Sequence, residues 1–301
     1  LFSREQTRAP PIRGISGGFR VCSPGVEARP GAEEGAVIVT TINVNGVRAA
    51  VRERSEKNRG LLPWLAETSA DVVCLQETRA DDEQLAKALA PALADGWRLA
   101  SAEPHIKGRS GVAILSRHPI DDTRLIDSEE FGHHGRYLEA DIAGLTVASV
   151  YVQTGEAGTA WQAEKERFMA TLADRMGKLL ASGSDAVVCG DWNIAHTEAD
   201  IKNWKANVKR SGFLPGERQW LTDLLATGWV DVMRALHPGV NGPYSWWTWR
   251  GRAFDNDAGW RIDYHLATPG LAARAVSARV EKFAAYELRW TDHAPVTVEF
   301  R

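Results

Sequence analysis

Short runs of β-branched and other apolar residues, most of them ending in an acid, an amide or a tyrosine, recur along the chain and constrain its fold more than any other feature. They fall at about 37–44 (VIVTTINV), 71–76 (DVVCLQ), 111–116 (GVAILS), 137–142, 145–152 (LTVASVYV), 186–191 (AVVCGD), 261–267 (RIDYHLA) and 295–300 (PVTVEF). Runs of this length and composition are strands, and several are apolar throughout, which requires cover on both faces. Between them Trp161, Phe168, Leu172, Met176 and Leu179 follow at spacings of seven, four, four and three, so 159–180 is expected to be an amphipathic helix with those residues inward, and 82–93 a second helix. The runs 137–142 and 145–152 are close enough to form a hairpin, so antiparallel neighbours are needed as well. The expected class is α/β, with two packed mixed β-sheets flanked by helices.

A chain of 301 residues with 44% hydrophobic composition has ample material for such a core. Its net charge of −3 argues against a protein that coats nucleic acid nonspecifically. Between positions 201 and 218, however, Lys202, Lys205, Lys209, Arg210 and Arg218 face only Glu217. That local excess is either a solvated face or a track for phosphates, and Trp204 and Phe213 within it favour the second. Cys22, Cys74 and Cys189 form an odd, widely spaced set, which suits a reducing cytoplasmic setting. No segment approaches the roughly 20 uncharged apolar residues of a membrane helix. Residues 1–36 carry Pro10, Pro11, Pro24, Pro30 and six glycines with no apolar periodicity, so they are expected to be a disordered N-terminal extension to a folded domain over 37–301.

The chemistry is expected at the strand ends. Asn43 and Asn45 close the first run, Gln76 and Glu77 the second, Tyr151 the fifth, and Asp191 and Asn193 the sixth, while Asp263 lies in the seventh and Asp292 and His293 directly precede the last. One carboxylate after a strand is usually a helix cap or turn residue. Its repetition over so many strands points to a common site, because ligands in α/β proteins collect where strand ends converge. Four acids with amides and one histidine, and no Cys/His set, describe a hard-cation site that suits Mg²⁺ rather than zinc. No nucleophile-elbow serine, P-loop or dinucleotide fingerprint is present.

In order along the chain stand INVNG at 42–46, LQET at 75–78, SGVAILS at 110–116, VY at 150–151, GDWN at 190–193, GFLPGER at 212–218, WRIDYHL at 260–266 and TDHAP at 291–295. Together they resemble the exonuclease III family of abasic-site endonucleases, within the endonuclease/exonuclease/phosphatase superfamily. The resemblance covers about 37–301. It implies a four-layered α/β sandwich and Mg²⁺-dependent hydrolysis of DNA phosphodiesters, with Mn²⁺ as a substitute, by a monomer acting on duplex DNA that carries abasic sites or 3′-damaged ends. Carried over residue by residue, it makes Glu77 the principal metal ligand, with Asn43 and Asp292 in support and Asp191, Asn193 and His293 completing the metal set. Asp191 also orients or deprotonates the attacking water, with Asn193 beside it. His293, held by Asp263, and Tyr151 contact the phosphate, and Asn45 stands where members carry Asp or Asn. Members usually follow the tyrosine with Pro and then Asn or Gln. Here Val152-Gln153-Thr154 stands instead, so the amide contact passes to Thr154 or a shifted Gln153, or is lost.

Tryptophans at 246, 247 and 249 cannot all point inward from one strand, so at least one is exposed. The resemblance makes Trp246 and Trp260 the walls of a pocket for an extrahelical abasic sugar, with Arg250 and Arg252 beside them to meet phosphates. Lys205, Lys209 and Arg210 complete the expected DNA-contacting set, with Arg109 either a further phosphate contact or a solvated loop residue. The implied activity is cleavage 5′ of abasic sites with 3′-end trimming. An RNase or phosphomonoesterase of the same superfamily, and an inactive DNA-binding scaffold, are the alternatives.

Overall fold

A computed structural model describes residues 35–301. Residues 1–34, nearly all of the segment expected to be disordered, lie outside the described residues. The strands are β1 (Val37–Asn43), β2 (Val72–Gln76), β3 (Arg98–Ala102), β4 (Val112–Ser116), β5 (Asp122–Leu125), β6 (Tyr137–Ile142), β7 (Leu145–Tyr151), β8 (Ala186–Asp191), β9 (Val230–Asp231), β10 (Asp263–Ala267), β11 (Ala275–Val280) and β12 (Val296–Phe300). They build two six-stranded sheets, in the orders β11-β12-β1-β2-β4-β3 and β5-β6-β7-β8-β10-β9.

The two sheets repeat one plan. Each has a single parallel pair at its centre, β1 with β2 and β7 with β8, flanked by antiparallel neighbours. A parallel pair needs a crossover. The first contains the helix Leu61–Glu67 and the second the long helix Ala160–Ser182, each on the outer face of its own sheet. Alternation along the central strands explains why they read as apolar throughout. In β2, Val72 and Cys74 join the core between the sheets, while Val73 and Leu75 pack under the helices Leu61–Glu67 and Asp82–Ala94. In β8, Val187 and Cys189 face inward and Val188 packs under Ala160–Ser182. The result is a four-layered α/β sandwich.

Both parallel pairs point their C-terminal ends at the same edge. There Asn43 pairs in register with Gln76 in one sheet, and Tyr151, Asp191 and Asp263 form a row across β7, β8 and β10 in the other. Registered residues share a face, so the row presents its three polar side chains together. Buried polar contacts pin the sheets at this edge: Gln76 Nε2 donates to Ser149 Oγ at 3.0 Å, and Ser149 Oγ donates to the Leu75 carbonyl at 3.1 Å.

The expected strands lie within two residues of their observed ends. Four strands were not anticipated. β5 and β3 are largely polar or half-exposed, β9 has two residues, and the β11–β12 ladder is interrupted by a register shift between Ala275 and Ser277. Trp161 corrects the helix reading. It is exposed, and the buried face instead holds Gln162, Lys165, Phe168, Met169, Leu172, Met176 and Leu179.

Gly190 sets the approach of β7 to β8 just before Asp191. Its φ is +151°, and a Cβ there would lie 1.9 Å from the Val150 carbonyl oxygen. Gly190→Ala must therefore push the parallel pair apart. Destabilisation by about 3 kcal/mol or more is expected, seen as a Tm lowered by roughly 6 to 12 °C. An unchanged melting curve would contradict this packing.

Candidate active site

At the shared edge the chain turns sharply after β1, β2 and β8. Asn45, Glu77 and Asn193 adopt φ of 48°, 50° and 49°, a left-handed conformation uncommon outside glycine. Three expected site residues sharing this conformation fits the tendency of backbone strain to gather at functional sites.

Asn43 ties the two sheets together. Its Nδ2 donates to Glu77 Oε1 at 2.8 Å and to Asp191 Oδ2 at 2.9 Å, while its Oδ1 accepts the Asn45 backbone N–H at 2.9 Å. Asn45 in turn donates to Asp292 Oδ1 at 2.9 Å, and Trp246 Nε1 donates to Asp292 Oδ2 at 3.1 Å. Burial alone would raise the Asp292 carboxyl, but His293, Asn45 and Trp246 hold it below its ordinary value. Asn193 donates to Asp191 Oδ2 and to the Val152 carbonyl, and its Oδ1 accepts from the Thr154 hydroxyl at 3.1 Å. Thr154 faces Asn193, whereas Gln153 is buried and donates to the Trp161 carbonyl.

His293 lies between two carboxylates. Its Nδ1 meets Asp263 Oδ2 at 2.9 Å, and its Nε2 lies 3.7 Å from Asp191 Oδ2. Ser245 Oγ donates to the same Asp263 oxygen at 2.6 Å. Burial would depress the imidazole, but Asp263, Asp191 and Asp292 outweigh it and raise it to about 10. The three carboxylates around His293 thus favour its imidazolium form. Asp191, Asp263 and His293 have ligand atoms within 4.8 Å of one another, close enough to hold a metal ion. Burial pushes the Asp191 carboxyl up to about 7, against the pull of His293 and Asn43. Burial beside Glu77 and Asp191 raises the Tyr151 phenol far above its usual range, so it is a neutral donor.

The remaining oxygen donors suit a divalent cation. Glu77, Asp191 and Asp292 supply carboxylates, with the amide oxygens of Asn43, Asn45 and Asn193 among them. The Glu77 oxygen not bound by Asn43 is already engaged by a cation: Arg79 Nε donates to Oε2 at 2.9 Å, and its terminal nitrogen pairs with the same atom. Sequence reasoning missed Arg79. The available signal was a basic residue two positions after the acid.

A second missed pair lies beneath the site. Lys165, fully buried, donates to the Asn193 carbonyl at 2.9 Å and to Glu217 Oε1 at 2.7 Å. Glu217 also accepts from Gln162, Ser211 and the backbone N–H groups of Gly212 and Leu214. The GFLPGER segment thus clamps the Asn193 loop to the long helix. Removing one member of such a buried pair typically costs about 3–5 kcal/mol. The signal in the sequence was a lysine on the apolar face, three residues before Phe168.

The cleft over these residues is walled by Trp246 and Trp260, whose rings meet edge to face at 6.0 Å. Behind them a second concavity holds Arg210 and Arg250. Lys205, Lys209 and Arg210 are exposed on the neighbouring loop, with Lys205 over Trp204. Within the same run Arg218 packs over Phe213 and donates to the His196 carbonyl, and Phe213 itself is core. Of the clustered tryptophans, Trp247 is buried and Trp249 exposed. Arg252 is exposed beside Asp255.

The profile of the Endonuclease/Exonuclease/phosphatase family matches residues 40–293, and the chain belongs to that family. The DNA-repair nucleases within it are its relatives. An exodeoxyribonuclease of Bacillus subtilis (strain 168) is 33% identical over 262 residues, covering 84% of this chain and 95% of that protein. The DNA repair nuclease APEX1 of Danio rerio is 29% identical, covering 86% and 81%. Among solved structures, an AP endonuclease from Archaeoglobus fulgidus superposes with a TM-score of 0.79 at 29% identity, covering 88% of this chain and 99% of its own. A 3′-5′ exonuclease from Neisseria meningitidis gives 0.78 at 31% identity, covering 88% and 99%. The chain is a hydrolytic nuclease of a family that depends on divalent metal.

Glu77→Ala removes a half-buried carboxylate at the cleft, held by Asn43, Arg79 and Tyr151, and leaves the core untouched, so folding should survive. Cleavage should fall by about a thousandfold or more at fixed metal concentration. A loss of less than about tenfold at saturating metal, with an unchanged Tm, would remove Glu77 from the metal site.

Proposed function

We propose that the chain is a DNA-repair phosphodiesterase that cuts duplex DNA 5′ of abasic sites, leaves a 3′-hydroxyl, and trims damaged 3′ ends. The observation that carries this reading is the Asp191–His293–Asp263 row facing Glu77 across Asn43, beneath the Trp246 and Trp260 wall. Water attacks phosphorus, its proton passes to Asp191, and the bond to the 3′ oxygen breaks. A carboxylate raised toward neutrality by burial is matched to that proton transfer. The His293 imidazolium, fixed by Asp263, and the neutral Tyr151 and Thr154 hydroxyls face the phosphoryl oxygens and offset their growing charge. Glu77, Asp292 and Asp191 with the neighbouring asparagines would hold Mg²⁺, which when bound supplies Lewis-acid polarisation of the phosphate. The tryptophan wall suits a sugar without a base, and the basic side chains around it suit the DNA backbone.

One duplex carrying a tetrahydrofuran abasic analogue tests the reading directly. Incision 5′ of the lesion with Mg²⁺ and none with EDTA is expected; failure to incise with either Mg²⁺ or Mn²⁺ would reject it.

Lys205, Lys209 and Arg210 test the binding track separately. Changing all three to Ala should weaken duplex binding and lower the log-log salt slope by about 0.9 for each lost phosphate contact, up to roughly 2.7. Single-turnover rates at saturating DNA should stay within about threefold of wild type, because these side chains position the backbone away from the scissile bond. An unaltered slope would make the segment a solvated face.

A further inference from the structure

On the far side of Glu77 and Tyr151 from the tryptophan wall lies another concavity, of about 280 Å³. It shares Glu77, Arg79 and Thr154 with the catalytic cleft and continues it past Tyr151 over Arg109, Ile106 and Trp161. Trp161 is 44% exposed and Ile106 55% exposed, although both line the same hollow. The Arg109 guanidinium lies 4.9 Å from the Trp161 ring centre and has no carboxylate partner among the described residues. The loop that carries it is held in place: Ser110 Oγ donates to the His134 carbonyl at 2.7 Å, Gly111 N to the Gly135 carbonyl at 2.9 Å, and Arg109 N to the Ile106 carbonyl at 3.1 Å. Two exposed apolar side chains and an unpaired cation on a fixed loop do little for the fold. They form a ready surface for something flat and anionic.

A scissile phosphodiester has two flanks. If the sugar on its 3′ side rests against Trp246 and Trp260, the strand on its 5′ side must leave over Tyr151 and Glu77, into this hollow. We propose that the hollow is a subsite for the nucleotide 5′ of the scissile bond, and that it accepts that nucleotide with its base unpaired: Arg109 takes the phosphate, and the base lies against Trp161 and Ile106. A paired base has both faces covered by its stack and its edge turned to its partner, so it cannot reach Trp161. An unpaired base can, whatever its identity, because every base has a π-face. Extrusion is also least costly where pairing is already broken. The inference rests on the proposed reaction and deepens it, naming mismatched or frayed neighbours as favoured substrates.

The test uses two duplexes with a tetrahydrofuran lesion, one with its 5′ neighbour paired and one with it mismatched, cut by wild type, Trp161→Ala, Trp161→Phe and Arg109→Ala. Stacking of this kind is worth about tenfold, so wild type should show a KM about tenfold lower on the mismatched duplex with a similar kcat. Trp161→Ala should bring the KM ratio to within twofold of unity, and Trp161→Phe should keep most of it. Arg109→Ala should raise KM on both duplexes. A wild-type ratio near unity, or one that Trp161→Ala leaves intact, overturns the subsite while incision of the paired duplex upholds the reaction. Absence of incision on both duplexes overturns the reaction and the subsite together.

Discussion

Four carboxylates, Glu77, Asp191, Asp263 and Asp292, share one largely buried cleft, and the surrounding structure is arranged to make that tolerable. Like charges at such separations raise one another's proton affinity and repel the phosphodiester they are proposed to act on. Each is answered by a specific group: Asn43 for Glu77 and Asp191, Asn45 and Trp246 for Asp292, His293 and Ser245 for Asp263, and Arg79 for the outer oxygen of Glu77. The compensation is incomplete at Asp191, whose carboxyl is pushed toward neutrality. The same surplus of oxygen donors that destabilises an empty cleft is what attracts a divalent cation.

The architecture makes this crowding possible. Two sheets built on one plan bring the ends of two parallel strand pairs to a single edge, and left-handed turns after β1, β2 and β8 bring Asn45, Glu77 and Asn193 back over it. Neither sheet holds a complete set. Asn43, Glu77, Asp292 and His293 come from one sheet and its margins, Tyr151, Asp191 and Asp263 from the other.

Much of this was legible in the sequence because apolar strands capped by polar residues are local signals that burial then enforces. Asn43, Glu77 and Asp191 each follow a run whose two faces are both covered, and such runs have little freedom to be anything else. Residues whose roles depend on distant partners were hidden. Lys165 reads as an ordinary helix charge until Glu217, 52 positions away, lies against it. Arg79 reads as a loop cation until Glu77 turns to meet it. Trp161 shows the opposite failure: its spacing put it on the apolar face, but it lies one turn short of the core, half-exposed beneath Arg109. The missed strands β5 and β9 are sheet margins too short or too polar to carry a pattern.

Strand β1 is paired on one side with β2 and on the other with β12, in a register that sets Val37 opposite Phe300. Thr291 Oγ1 reaches the Asn43 carbonyl at 2.8 Å across 248 positions of sequence. At ribosomal speeds of roughly 5–20 residues per second, such a separation takes on the order of ten to fifty seconds to translate. Throughout that interval β1 has an open edge, and neither Asp292 nor His293 exists. The capacity to hydrolyse a nucleic acid therefore does not build up gradually along the nascent chain. It arrives in one step, when the strand that closes the first sheet emerges and docks.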